Sequence, residues 1–74
     1  MKRAPVDSSS IATVGYDPAS RTLEIEFRDG DVYQYFNVPA VVHRDLVAAS
    51  SVGQYFAFFV KTGYRNRKLP RGSA

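Results

Sequence analysis

The side chains with chemistry to offer are few, and they are scattered. His43 is the sole histidine, with Asp45 and Ser50 near it in sequence. Ser/His/Asp catalysis needs those three groups in one hydrogen-bonded line, ending on an exposed serine. No nucleophile-elbow pattern surrounds Ser50. A solvent-facing helix histidine beside Arg44 is the plainer reading, because nearness in sequence is not triad geometry. Glu24 and Glu26 alternate along one segment, which sets their carboxylates on one strand face about 7 Å apart. Such a spacing can serve acid–base work, yet no third catalytic group accompanies them, and a solvated sheet face accounts for both. One histidine and no cysteine fall short of the about four ligands of a zinc site. The inventory predicts no catalytic residue, no metal and no cofactor.

Binding chemistry is better represented. Lys61, Tyr64, Arg65, Arg67 and Lys68 combine phosphate-binding charge with one aromatic ring near the C-terminus. Tyr33 and Tyr35, with Tyr55, form a second aromatic candidate, since alternate residues of a strand share a face and exposed rings on a sheet can stack bases. The net charge of +3 hides a division. Lys2 and Arg3 stand at one end, and Lys61, Arg65, Arg67, Lys68 and Arg71 at the other. Between them Arg21, Arg28 and Arg44 face seven acidic residues. Polyanions respond to such local fields rather than to the total.

Seventy-four residues allow one domain with one core, and a chain this short buries only roughly 60% of its unfolded surface. Without disulfides or metal, packing must hold it. Five tyrosines, five phenylalanines and a set of Val, Leu and Ile supply the material. No stretch approaches the about 18 apolar residues of a membrane span. Met1-Lys2-Arg3 is followed by Ala-Pro-Val-Asp-Ser-Ser-Ser rather than an apolar run, so no signal peptide is expected, and the expected location is the cytoplasm.

Residues 1–9 read as a flexible polar arm. Ile11–Tyr16 is rich in β-formers, and Asp17-Pro18-Ala19-Ser20 is a turn in which proline presets φ. Thr22–Arg28 alternates strictly, with Leu23, Ile25 and Phe27 on one face. Asp29-Gly30 is a strong hairpin signal, and Val32–Phe36 supplies a third strand. The period then changes. Asn37 can cap a first helix with Pro39 in its first turn, carrying Val42, Leu46 and Ala49 on one side. Ser51 can cap a second, from about Val52 to Lys61, whose apolar face would be Tyr55, Phe56, Phe59 and Val60, with Gly63 as its stop. Phe58 is left over on that helix, and an exposed Phe would suit a protein partner or a homodimer contact. The fold class expected is α+β: a three-stranded antiparallel meander followed by two short helices (βββαα), in two layers. Residues 65–74 read as a basic, disordered tail.

The direction of Tyr33 and Tyr35 turns on hairpin register. A two-residue loop pairs Phe27 with Val32, which sends both tyrosines outward beside the glutamates and Gln34 into the core. A three-residue loop, Arg28-Asp29-Gly30 with glycine left-handed, pairs Phe27 with Asp31. The tyrosines then join Leu23 and Ile25 on the core face. One residue of slip exchanges the faces. The second register is favoured, because burying Gln34 unpaired costs about 1–3 kcal/mol.

In order, Ile11 to Tyr16-Asp17, Leu23-Glu-Ile-Glu-Phe27 with Gly30, Tyr33-Gln-Tyr35, Val38-Pro39, Ser51-Val-Gly-Gln-Tyr-Phe56 and Val60-Lys61 resemble the motifs of the KTSC domain family. That family is named for a module at the C-terminus of some lysyl-tRNA synthetases and also occurs as small stand-alone bacterial proteins. The resemblance covers roughly residues 10–64. One departure is Ala57, where the family often has Asn; a ligand contact made by that Asn would be missing here. RNA binding has been suggested for that family, so the resemblance implies nucleic-acid binding. Together with the charge pattern, the expectation is a non-enzymatic nucleic-acid-binding module, sequence-tolerant and salt-sensitive. The alternative is a protein-interaction or homodimerisation module using the aromatic second helix.

Overall fold

The computed structural model of the chain describes residues 1–71. Its order is β1 (Arg3–Pro5), β2 (Ile11–Asp17), β3 (Thr22–Phe27), β4 (Val32–Tyr35), α1 (Ala40–Ala48), α2 (Val52–Phe59) and β5 (Asn66–Lys68). The expected meander is the middle of the sheet, β2-β3-β4. It is widened to five antiparallel strands by β1 beside β2 and β5 beside β4. The α+β class stands, and the strand count is corrected. The arm and tail expected to be flexible and disordered each carry an edge strand; the last part of that tail, 72–74, lies outside the described residues.

Alternation in β2, β3 and β4 builds the core. Ile11, Val14, Leu23, Ile25 and Tyr35 come from the sheet, Val38 from the loop before α1, Leu46 from α1, and Val52, Phe56 and Val60 from the α2 region. Phe56 meets the sheet edge-on, with ring centroids 5.4 Å from Phe27 and 5.5 Å from Tyr35. Edge-to-face geometry suits the ring quadrupoles.

Ser51 caps α2 as expected, its Oγ accepting from the Gln54 N–H at 3.3 Å. Three local readings are corrected. Asn37 does not cap α1; it takes a left-handed φ of 57°, and Pro39 holds the cap position without a side-chain bond. Gly63 follows α2, but its φ is not left-handed. The buried stripe of α2 is Val52–Phe56–Val60, so Phe59 is exposed along with Phe58.

Candidate functional site

The hairpin sets the site. Gly30 takes a φ of 99°, Phe27 N–H donates to the Asp31 carbonyl at 2.8 Å, and Gly30 N–H donates back to the Phe27 carbonyl at 3.0 Å. This is the three-residue loop with left-handed glycine. A side chain at Gly30 would meet the steric cost of that conformation. Ile25 therefore pairs with Tyr33 and Leu23 with Tyr35, both tyrosines turn to the helix side, and Gln34 pairs with Glu24 on the outer face.

On the helix side the rings of Phe27, Tyr33, Tyr35 and Phe56 wall a cleft of about 370 Å³, with Asp29, Asp31, Lys61 and Asn66 around it. Tyr33 and Tyr35 lie 6.4 Å apart and 27° from parallel, and Phe27 stands edge-on to Tyr33 at 5.7 Å. Tyr35 is buried and Tyr33 half-buried. Burial, then the neighbouring Tyr33, pushes the Tyr35 phenol up to about 12, so it is a hydrogen-bond donor across the physiological range. Neither phenol is hydrogen-bonded within the protein among the described residues.

β5 divides the basic cluster. Asn66 pairs with Tyr35 and Lys68 with Tyr33, while Arg67 pairs with Gln34. By the two-residue period of a strand, Asn66 and Lys68 share the tyrosines' face and Arg67 points to the other. Lys68 Nζ lies 3.4 Å from Asp31 Oδ2, and Arg71 Nε donates to Asp31 Oδ1 at 2.6 Å. The Arg71 bond holds the Asp31 carboxyl below the usual carboxylate range. Lys61, Arg65 and Arg67 are exposed and have no ion pair among the described residues. Tyr64 is partly buried against the core. Tyr55 also packs there, 4.7 Å from Phe59, and lines no part of the tyrosine cleft.

Sequence reasoning missed Asn66, Asp29 and Asp31. Asn66 was hidden between two arginines on a strand with no apolar alternation. Asp29 read only as a turn former, and Asp31 only as the partner of Phe27 in the favoured register.

The outer face carries one row across all five strands: Arg3, Gly15, Glu24, Gln34 and Arg67. Gln34 Nε2 donates to Glu24 Oε1 at 2.9 Å, and Thr13 Oγ1 donates to Glu26 Oε1 at 2.9 Å. The two glutamates thus take separate partners rather than sharing a site. His43 stacks on Tyr16 at 4.9 Å and 8°, and its burial lowers its pKa. Among the described residues no hydrogen bond joins it to Ser50 or Asp45, and Asp45 Oδ1 instead accepts from Arg44. No group of three or more His, Asp or Glu is placed to hold a metal among those residues, and none of their helices is long and apolar enough to cross a membrane.

A small α+β module with one aromatic cleft and a basic margin is the class these features define. The KTSC domain model matches residues 7–64, and the chain belongs to the KTSC domain family. A KTSC domain protein from Yersinia pestis, solved by crystallography, has a TM-score of 0.90 at 43% identity, covering 93% of this chain and 97% of that one. A protein of Tsukamurella paurometabola is 44% identical over 61 residues, 82% of this chain and 91% of its own length. A lysine–tRNA ligase of Nostoc sp. is 40% identical over 63 residues, which is 85% of this chain and 11% of the ligase.

Proposed function

We propose that this chain is a non-enzymatic, cytoplasmic module that binds single-stranded RNA with little sequence preference. The observation that carries this reading is a set of cations at one end of the fold with no ion pair among the described residues. Lys61 lines the aromatic-walled cleft, Arg65 is exposed just before β5 and Arg67 is exposed on the outer face of β5, while the acidic groups nearest β5 are already engaged by Lys68 and Arg71. Free cations neutralise phosphates, and nearby rings add sequence-tolerant stacking. Its relatives include a lysine–tRNA ligase, a protein named for an RNA substrate. The buried interior of the sheet, by contrast, leaves the tyrosines no open platform for a run of bases. A gel-shift titration against single-stranded RNA at about 50 mM salt tests the reading; a flat titration sinks it.

A second reading, a protein or homodimer contact, is favoured by one observation. Phe58 and Phe59 are 77% and 60% exposed side by side at the end of α2, and adjacent exposed rings are unusual unless covered in use. Sedimentation of wild type against Phe58→Ser separates the two: a monomer in both cases removes self-association.

A further inference from the structure

Resting on the RNA reading, we infer that the cleft between the hairpin loop and the end of α2 takes one unstacked nucleobase bearing an exocyclic amino group, with Lys61 meeting its phosphate. The volume, about 370 Å³, sits at the lower end of the roughly 300–1,000 Å³ range of small-ligand sites. It suits one small planar ligand rather than a run of bases. The apolar part of the lining is entirely aromatic, which matches the π-face of any base.

The polar edge adds a preference. Asp29 and Asp31 offer carboxylate oxygens, and Asn66 offers its carbonyl oxygen, while its Nδ2 spends one of its two N–H groups on the Tyr64 carbonyl at 3.3 Å. The Tyr33 and Tyr35 hydroxyls can donate or accept, so the preference comes from the carboxylate and amide oxygens, which call for donors on the ligand. Adenine, cytosine and guanine carry an exocyclic amino group and uracil carries none. Lys68 and Arg71 neutralise the aspartates, so a phosphate at the margin meets Lys61 without strong opposing charge. The same three cations disfavour an alkylammonium guest, which would otherwise suit an aromatic cage.

The test is an NMR titration of the ¹⁵N-labelled full chain with AMP, CMP, GMP and UMP, alongside a uridine-only oligonucleotide. The expected result is saturable shifts at Tyr33, Tyr35, Lys61 and Asn66, with UMP weaker by about fivefold or more, the discrimination of one good base contact. Asp29→Asn, on an exposed loop where the new side chain can still accept the Asp31 N–H, should narrow that gap without unfolding the chain. Equal affinity for all four nucleotides overturns the inference. Oligonucleotide shifts at Arg65 and Arg67, with no nucleotide reaching the cleft, also overturn it and leave RNA binding standing. Nucleotides in the cleft without any oligonucleotide binding support the pocket and sink the RNA reading. No shift with any ligand overturns both.

Discussion

Arg3 crosses over Gly15 to bring its Nε within 3.4 Å of Oε2 of Glu24. A Cβ on residue 15 would lie 2.7 Å from Arg3 Cγ and 3.0 Å from the Lys2 carbonyl oxygen, so the glycine is the gap through which the side chain passes. The contact ties the first residues of the chain to the middle of the sheet and covers a glutamate whose side chain is only 12% exposed.

Arg3→Ala should therefore destabilise the fold. Exposed ion pairs contribute roughly 0.2–1 kcal/mol, and stranding a buried charge costs several times more. Glu24 keeps Gln34 as a partner, and Arg3 Nη1 is buried without one, which lowers the net gain from the pair. A loss of about 1–2 kcal/mol in urea denaturation is expected. An unchanged midpoint would show that β1 does not hold in solution.

Gly15→Ala should lose about 1–3 kcal/mol by overpacking, because a backbone oxygen as well as a side chain must shift. Its effect and that of Arg3→Ala should not add, since both displace the same strand. Full additivity in a double-mutant cycle would contradict the shared geometry.

Asp31→Asn tests how charge is divided at β5. Asp31 holds Lys68 and Arg71, so the variant releases Lys68, leaves Arg71 only its 3.9 Å contact with Asp29, and should tighten binding of single-stranded polyuridine at low salt. Its stability profile should change too. The Arg71 bond holds the folded Asp31 carboxyl below the ordinary aspartate value of 3.8, so its contribution is present above that value and is lost as pH falls through the folded one. The variant should lack this acid-side loss. Weaker polyuridine binding by the variant would count against free cations as the source of affinity.

His43 predicts a second pH effect. Burial lowers its pKa from 6.5, so the unfolded chain binds the extra proton first, and stability falls as pH drops from 6.5 towards the folded value. His43→Phe keeps a ring for the Tyr16 stack and should flatten that part of a pH series of thermal melts. A slope unchanged by the substitution would place the effect elsewhere.

The central hairpin was legible because several signals agreed. Leu23, Ile25 and Phe27 alternate, Asp29-Gly30 marks the turn, and the cost of burying Gln34 selects the register that the structure has. β1 and β5 were not legible for a physical reason. Arg-Ala-Pro and Asn-Arg-Lys have no apolar alternation, and three-residue edge strands rich in charge or proline are how sheets protect their edges. Their pairing comes from backbone bonds to β2 and β4, which local sequence does not display. The site was half visible for the same reason. The basic residues could be listed, but only β5 decides that Lys68 joins Tyr33 while Arg67 faces away. On α2 the aromatic run offered two faces; the structure buries Val52 and Phe56, with Val60 at the cap, and leaves Phe59 outside.

The most direct measurement is a fluorescence-anisotropy titration of labelled single-stranded RNA with the full chain, at about 50 and 200 mM salt, against a Lys61→Glu/Arg65→Glu/Arg67→Glu variant. Neutralising two or three phosphates gives a log–log salt slope of about −1.4 to −2.1, so the wild type should bind about tenfold more weakly at the higher salt. The variant should lose most of its affinity and most of that slope. Binding that ignores both salt and charge reversal, or no binding by the wild type at low salt, would contradict the account.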